Sequence, residues 1–329
     1  MSKTFISALG AVAILLAGCG APHNDSEKYY LVVGNMKSLY WEEAGAGLAR
    51  AAAELKVSAS VVGPNSFSPE KQVEEFQRIL ASKPAGILVS VSNPKLLGPE
   101  IDKAVGQGVP VITIDADAPD SKRLTFVGTN SYEAGLAGGR MVAAKLNGKG
   151  SVLVFTTAGQ TNLEERLKGY RAAFDASPGI KIVDVVDIKG DAAKAFDGAT
   201  AAVANAKQPI DAFVSLEGQS AKEVADVLGR QKITGKTVIS MDTLEPTLDA
   251  IAKGGVTATI AQKPFTMAYF ALRLLADAHL HKLPNLNADF RRDPHSAMPR
   301  FIDTGWSIVD QAGIAAYRES VQQSKTPAK

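Results

Sequence analysis

The chain has 329 residues, of which 36 are basic and 34 acidic, and its formal net charge is +2. A nearly balanced charge gives no reason to expect nucleic acid as a partner. The chain has one cysteine, which excludes an intramolecular disulfide, and it is long for one compact core, which favours two lobes.

Residues 1–18 have the pattern of an export signal. Lys3 precedes an apolar run at about residues 5–16, which is too short to cross a bilayer as a helix and which ends in small residues. We therefore expect a signal peptide over residues 1–18. No later segment is long and apolar enough to predict a membrane-spanning helix.

The sequence LAGC at residues 16–19 resembles the lipobox of bacterial lipoproteins, in which the cysteine becomes the lipidated N-terminus. We therefore expect Cys19 to carry lipid, and the polar residues 19–28 to form a short tether. More than one acyl chain gives a stable membrane anchor. The expected location is the periplasm or the cell surface, with the protein anchored to the membrane.

From residue 29 onward, short apolar runs alternate with longer helical stretches. The runs are rich in Val and Ile on both faces, which is typical of parallel strands covered by helices. The predicted strands are residues 30–35, 58–63, 86–91, 110–115, 124–129, 151–157, 181–188, 212–217, 237–242 and 257–262.

Several helix starts are marked by capping residues. Ser68 precedes Pro69 as an N-cap before a proline in the first helical position. Asn130, three residues before Glu133, resembles a capping box, and Glu245 opens another helix with a proline behind it. The alternation predicts an α/β chain with doubly wound parallel sheets in two similar lobes.

Polar and aromatic residues follow the predicted strands. Ligands of open parallel sheets bind beyond the carboxyl ends of the strands, so these residues are the candidates for a site. They are Ser38, Tyr40, Trp41, Asp115, Asp117 and Asn130 in the first half of the chain, and Arg166, Asp191, Glu217, Asp242 and Gln262 in the second half.

This set of residues favours binding over catalysis. Asp115, Glu217 and Asp242 could act as paired carboxylates in a glycosidase, but no nucleophile elbow, strand-end histidine or cofactor motif accompanies them. Carboxylates also accept hydrogen bonds from vicinal hydroxyl groups. His279 and His281 lie two residues apart, a spacing unsuited to joint metal ligation on a helix. We expect no enzyme activity, no cofactor and no metal.

Tyr40 and Trp41 form an aromatic pair at a strand-to-helix junction. Such a pair is either core filler or a platform for a ligand. Two adjacent aromatic side chains cannot both enter the core at a helix start, and the flat face of a sugar ring matches an aromatic surface. The pattern therefore favours a sugar platform, with Trp41 as the stacking residue.

Five segments in this order resemble the periplasmic sugar-binding proteins of the ribose-binding type, which are solute-binding components of ABC importers. The resemblance covers about residues 29–309 and is carried by "YW" with "EAGAG" (40–47), "VPVITID" (109–115), "ERLKGYRAAF" (165–174), "VISMD" (238–242) and "TATIAQKPFTMAY" (257–269).

The resemblance implies ligand contacts from Tyr40, Trp41, Asp115, Arg166, Glu217, Asp242 and Gln262. This chain departs from ribose binders at Ser38 and Glu217, where they have Asn, and at Ala116, where they have Arg. The departures argue against ribose. Three carboxylates facing one arginine predict a neutral sugar or polyol, or an aminated one, and disfavour sugar phosphates.

The resemblance also implies the fold of type I periplasmic binding proteins, with two lobes joined by three crossovers. The N-terminal lobe takes residues 29–129 and 264–303, and the C-terminal lobe takes 130–262 and 306–329. Asn130, Gln262 and Asp303 are then hinge residues, and the lobes close around the ligand. The implied partners are an ABC permease and a sugar, with the protein a monomer.

Two other functions share these features. A sensor module that presents its sugar to a membrane receptor has the same fold, and the sequence does not separate it from an importer component. A glycoside hydrolase is a further alternative, which would turn its ligand over. A cytoplasmic repressor is disfavoured because the chain has an export signal and lacks a helix-turn-helix.

Overall fold

The computed structural model describes residues 23–205, 207–281, 296 and 298–325. The expected signal peptide and Cys19 lie outside these residues. The strands are β1 Lys28–Val32, β2 Ser58–Val62, β3 Gly86–Val89, β4 Val111–Ile114, β5 Phe126–Gly128, β6 Lys149–Thr156, β7 Gly179–Asp187, β8 Ala212–Ser215, β9 Thr237–Met241, β10 Ala258–Ala261, β11 Phe301–Asp303 and β12 Ser307–Asp310.

The helices lie between these strands in the alternation that the sequence predicts. They are α1 Tyr40–Leu55, α2 Pro69–Ala81, α3 Pro94–Gly106, α4 Ser131–Lys145, α5 Thr161–Asp175, α6 Ala192–Ala204, α7 Ser220–Arg230, α8 Glu245–Ala252, α9 Pro264–Leu280 and α10 Ile314–Lys325. The predicted helix starts are confirmed: Ser68 caps α2, the Asn130 side chain accepts from the N–H of Glu133 in α4, and α8 begins at Glu245.

The strands form two six-stranded sheets. The first has the order β11-β5-β4-β3-β1-β2 and is parallel throughout, and the second has the order β12-β10-β9-β8-β6-β7. In the second sheet, β12 runs antiparallel to β10 and the other pairs are parallel. The α/β fold class with two parallel-dominated sheets is therefore confirmed.

All ten predicted strands are present, and β11 and β12 were not predicted. Both are short edge strands with exposed side chains, so they lack the continuous apolar run that marks a strand buried on both faces. In contrast, every residue of β3, β4, β8, β9 and β10 is buried.

Apolar side chains pack on both faces of each sheet. In the first sheet, Leu31 and Leu88 face the helices α1 and α9, whereas Val32 and Val89 face α2 and α3. The second sheet is covered in the same manner by α4 and α5 on one face and by α6 and α7 on the other. Each sheet thus has helices on both faces, as a doubly wound sheet requires.

The chain passes between the two sheets three times, at residues 129–130, 262–263 and 304–306. Two of these passages are joined by hydrogen bonds, because the N–H of Asn130 donates to Asp303 Oδ1 (3.2 Å) and the N–H of Thr304 donates to the carbonyl oxygen of Gly128 (2.8 Å). The proposed hinge residues Asn130, Gln262 and Asp303 lie in or beside these passages.

The structure describes part of the expected tether at residues 19–28, from His23 onward. Lys28 is the first residue of β1, and Glu27 is buried with its carboxylate accepting from the hydroxyl of Tyr29 (3.0 Å). His23 also bonds to Glu27 (2.8 Å). Residues 23–28 are therefore part of the folded domain and not of a tether, because Glu27 fixes them to the first strand.

Candidate ligand-binding site

A cavity of about 100 Å³ lies between the two sheets, beyond the carboxyl ends of their strands. Its walls come from both halves of the chain, as the rule for open parallel sheets predicts. All seven residues to which the resemblance assigned ligand contacts line it: Tyr40, Trp41, Asp115, Arg166, Glu217, Asp242 and Gln262.

Asp115 is the centre of the wall formed by the first sheet. It follows β4 directly, and its two carboxylate oxygens accept from the Tyr40 hydroxyl and from Ser90 Oγ, both at 3.0 Å. Its backbone has a φ of 60°, in the left-handed region, which few residues other than glycine adopt. Asp242 follows β9 with a φ of 67°. The two lobes thus present an aspartate in the same uncommon conformation at the end of a strand.

The aromatic pair lies between the cavity and the core of the first lobe. The rings of Tyr40 and Trp41 meet edge to face, with centroids 4.9 Å apart, and both side chains line the cavity. Trp41 also packs against the apolar cluster around Leu48 and Met267. Tyr40 differs, because its hydroxyl is fixed on Asp115. Stacking of a ligand on Trp41 remains a prediction.

A chain of three side chains forms the opposite wall. Arg166 Nη2 donates to Gln262 Oε1 (2.9 Å), and Gln262 Nε2 donates to Asp242 Oδ1 (2.7 Å). Arg166 Nη1 also donates to the carbonyl oxygen of Leu216 (2.8 Å). All three side chains are buried, so each fixes the orientation of the next.

Arg166 is placed by close packing of two helices. A Cβ atom on Gly135 of α4 would lie 2.1 Å from the carbonyl oxygen of Arg166 in α5. Only a glycine at this position allows α4 and α5 to approach so closely. Arg166 Nε is buried and has no hydrogen-bond partner in the described part of the chain.

Glu217 lines the cavity, but its carboxylate already accepts hydrogen bonds from the N-terminus of helix α7. Its carboxylate accepts from the backbone N–H groups of Gln219 (2.6 Å) and Ser220 (3.1 Å), and from the Ser220 hydroxyl. The two N–H groups have no partner within the helix, because they lie at its N-terminus, and a carboxylate at this position stabilises the helix. Glu217 therefore has less free acceptor capacity than a bare carboxylate would have.

Burial raises the pKa of all three carboxyl groups in the cavity. For Asp115, burial outweighs Arg166 and the hydrogen bonds from Ser90 and Tyr40, which lower the pKa. For Glu217, burial outweighs the hydrogen bonds from α7. For Asp242, burial and the charges of the other two carboxylates raise the pKa to about 7, against the lowering effects of Arg166 and Gln262.

The two walls of the cavity touch each other at its rim. The N–H of Asp117, after β4, donates to Thr161 Oγ1 (3.0 Å), and that hydroxyl donates to the carbonyl oxygen of Asp117 (2.8 Å). On another side Phe67, after β2, packs directly against Gly190, after β7. These contacts join the halves of the molecule in a closed arrangement.

Sequence reasoning missed several lining residues. Ser90 and Ser92 follow β3, and their position at a strand end is the signal that could have found them. Asn162 lies four residues before Arg166 in α5 and thus on the same helical face. Phe67 and Gly190 belong to loops whose approach depends on the lobe arrangement, so no local pattern marks them.

Other strand-end residues take different roles. Ser38 lines the cavity, whereas Ala116 is fully buried and does not. Asp117 is bound by Arg123, whose Nη2 lies 2.5 Å from Asp117 Oδ2. Asp191 caps α6 through the N–H of Ala193. The charges of Asp117 and Asp191 therefore serve local structure.

Two general features bear on the kind of site. The described residues contain no group of three or more His, Cys, Asp or Glu side chains arranged to hold a metal ion. Among the same residues, none of the helices has the length and apolar character needed to cross a membrane.

Comparison with known proteins places the chain in a family. The family model described as periplasmic binding protein domain matches residues 29–282. The D-allose-binding periplasmic protein of Escherichia coli (strain K12) is 26% identical over 263 residues, which cover 76% of this chain and 84% of that protein. The xylitol-binding protein of Mycolicibacterium smegmatis is 23% identical over 301 residues, which cover 89% of this chain and 83% of that protein.

Solved structures agree with this assignment. An arabinose-binding protein from Geobacillus stearothermophilus superposes with a TM-score of 0.73 at 31% identity, and the match covers 88% of this chain and 99% of that one. The family match covers both sheets except for the edge strands β11 and β12, and it includes the residues that line the cavity, from Gly34 to Gln262. The chain therefore belongs to the periplasmic binding protein domain family.

Proposed function

We propose that this protein is an extracytoplasmic solute-binding lipoprotein that captures a neutral sugar or polyol between its lobes and delivers it to an ABC importer. The observation that carries the proposal is the cavity between the two sheets, which is lined by carboxylates, an arginine and an aromatic pair from both halves of the chain. The relatives named for binding D-allose, xylitol and arabinose support the same class of ligand.

The size of the cavity suits a single sugar. A bound water needs roughly 10–15 Å³ on the same measure, so 100 Å³ holds about seven to ten water-sized groups. That is close to the size of a monosaccharide or a small polyol.

The chemistry of the walls suits hydroxyl groups. Asp115 and Asp242 offer carboxyl groups that form hydrogen bonds with sugar hydroxyls, and Trp41 offers an apolar face to the ring C–H groups. Three carboxylates facing Arg166 disfavour a phosphate or a carboxylate on the ligand. Because the polar groups are buried, a sugar that lacks one matching hydroxyl leaves a group unpaired and binds more weakly.

Closure of two lobes provides the capture mechanism. In this proposal residues 29–129 and 264–303 move against residues 130–262 and 306–329 about the passages at Asn130, Gln262 and Asp303. A ligand that contacts both walls stabilises the closed form by its difference in affinity for the two forms. The contacts between Asp117 and Thr161 would break on opening.

Lipidation at Cys19 would hold the protein at the membrane, as a monomer near its permease. Expression with a radiolabelled fatty acid is expected to label the wild type and not the Cys19→Ser variant. Recovery of both proteins, unlabelled, in the soluble fraction would contradict the anchor and leave the sugar site unaffected.

A thermal-shift screen tests the binding function. D-Allose, D-arabinose, xylitol and related monosaccharides are compared with their phosphates and with disaccharides. A ligand at 100 times its Kd adds about 2.7 kcal/mol to the free energy of unfolding. We expect a neutral monosaccharide or polyol to raise the melting temperature and to be recovered unchanged. Tighter binding of a phosphorylated sugar, or turnover of a glycoside, would refute the proposal.

A further inference from the structure

Asp242 receives fewer hydrogen bonds than the other carboxylates of the cavity. Asp115 accepts from two side-chain hydroxyls, and Glu217 accepts from two backbone N–H groups and a hydroxyl. Within the described residues, the Asp242 carboxylate accepts a hydrogen bond from Gln262 alone, through Oδ1. Its second oxygen, Oδ2, is therefore available to a ligand in the cavity that Asp242 lines.

The cavity has an excess of acidic groups. Of the described residues that line it, Asp115, Glu217 and Asp242 are acidic and Arg166 is the only basic one. The terminal nitrogens of Arg166 donate to neutral oxygens, those of Leu216 and Gln262, and not to a carboxylate. An unpaired negative charge on a buried side chain such as Asp242 is unfavourable, and either a proton or a cation relieves it.

The neighbouring groups do not supply that cation. Asp242 also lines a second cavity of about 610 Å³ on the side of α1, α8 and α10. Its basic lining residue in the described chain is Arg318, which is bound to Glu245 (2.9 Å) and Asp249 (2.6 Å). The titratable and charged groups facing Asp242 from all sides are Tyr40, Glu42, Glu43, Asp115, Arg166, Glu217, Glu245, Tyr317 and Arg318.

We propose that Asp242 sets the relative affinity of the site for neutral and amino-substituted ligands. Against a neutral sugar, Asp242 holds a proton taken from solvent on closure and donates it in a hydrogen bond from Oδ2. An ammonium group on the ligand takes the place of that proton and pairs with the ionised carboxylate. This inference rests on the proposed binding function and names the chemistry by which the same site separates two classes of sugar.

The expected pH dependence follows from this exchange. In the closed arrangement, burial raises the pKa of Asp242 from the ordinary 3.8 of an aspartate in water to about 7. In this proposal opening exposes Asp242 to water and restores its ordinary pKa, so the closed form binds one extra proton. The affinity for a neutral sugar is therefore high at low pH and falls as the pH rises towards 7, where it levels off. Between pH 5.5 and 8.5 the affinity falls about thirtyfold by this linkage. Raised pKa values of Asp115 and Glu217 act in the same direction.

An ammonium ligand behaves differently. Its positive charge beside Oδ2 opposes protonation of Asp242, so no proton is taken up on closure. The affinity for such a ligand is expected to change less than about threefold between pH 5.5 and 7.5. The ratio of the two affinities thus moves in favour of the amino-substituted ligand as the pH rises to 7.5.

Titration calorimetry of the full chain tests the proposal. D-Allose, D-arabinose and xylitol are titrated at pH 5.5, 7.5 and 8.5, together with the mono-amino-deoxy isomers of the sugar that binds. Buffers of different ionisation enthalpy measure the protons taken up. We expect uptake of close to one proton with the neutral sugar at pH 5.5 and none with an amino isomer.

Asp242→Asn separates the two binding modes, because the asparagine keeps an oxygen for Gln262 and offers a donor where the proposal has the proton. With the neutral sugar, the variant should lose most of the fall in affinity between pH 5.5 and 8.5, and only the contribution of Asp115 and Glu217 should remain. With the amino isomer, it should bind at least about tenfold more weakly than the wild type. Asp249→Asn is the matched control: it removes an exposed carboxylate of α8 and should leave both pH profiles unchanged.

Several results would overturn the proposal. The first is that a neutral sugar binds the wild type with no proton uptake and no pH dependence. The second is that Asp242→Asn keeps the wild-type dependence of affinity on pH. The third is that no amino isomer binds with an affinity that depends less on pH than that of the neutral sugar. In each of these cases sugar binding, and so the proposed function, stands. If no sugar or polyol binds the wild type, the function itself is wrong and this inference fails with it.

Discussion

Replacing Gln262 with leucine is expected to destabilise the protein even without a ligand. The substitution removes the acceptor of Arg166 Nη2 and the donor to Asp242 Oδ1. A hydrogen bond to a charged group contributes about 1.5–3 kcal/mol, and both partners are buried. Water entering from the adjoining cavity replaces part of this loss, so we expect a decrease of about 2–4 kcal/mol in the free energy of unfolding.

Urea denaturation of the ligand-free protein measures this loss. Arg166 lies in α5, Asp242 directly follows β9 and Gln262 directly follows β10. All three are thus attached to the second sheet, and we expect opening of the lobes to keep them together. The control is Gln311→Leu, because Gln311 is exposed and makes one hydrogen bond to the carbonyl oxygen of Ala252 (3.1 Å). Equal, small losses in both variants would refute the assigned role of Gln262.

Two further substitutions test the site and its support. Trp41→Ala should weaken binding of the sugar identified by the thermal-shift screen more than about tenfold, as loss of an aromatic contact of about 1.5 kcal/mol implies. The circular dichroism spectrum should stay native. An unfolded variant would show that Trp41 serves the core alone. Gly135→Ala should lower the melting temperature, because the added Cβ would lie 2.1 Å from the carbonyl oxygen of Arg166. Gly98→Ala in α3 is the control. Its Cβ would have no atom within 4 Å, so the variant should stabilise the protein by up to about 1 kcal/mol. Similar melting temperatures for these two glycine variants would contradict the close packing of α4 on α5.

The buried part of the fold could be predicted from the sequence because its signal is local. The strands of the two sheet centres are continuous apolar runs, as Val111–Ile114 shows, and capping residues such as Ser68 mark helix starts. The edge strand β12 has one buried residue, Val309, and its partner is fixed only by tertiary pairing with β10. Such strands leave no pattern that a single sequence reveals.

The sequence predicted which residues line the candidate site, but it did not predict the hydrogen bonds that they make. Strand ends and the family resemblance selected residues such as Asp115 and Asp242, and the structure brings them to one cavity. The hydrogen bonds of Glu217 to α7 were missed, because they depend on where that helix begins. The partners of Arg166 were missed as well, since Leu216 and Gln262 are distant in sequence and meet it only in the folded lobe.

The rim contact between Phe67 and Gly190 makes the protein suited to an optical reporter. This contact lies where the two walls meet, so a dye nearby would sense lobe motion. Ser66 is exposed next to Phe67, and the sequence has no cysteine other than Cys19. A chain that starts after Cys19 and carries Ser66→Cys would therefore hold one thiol for labelling, and the fluorescence of its dye would follow sugar concentration directly.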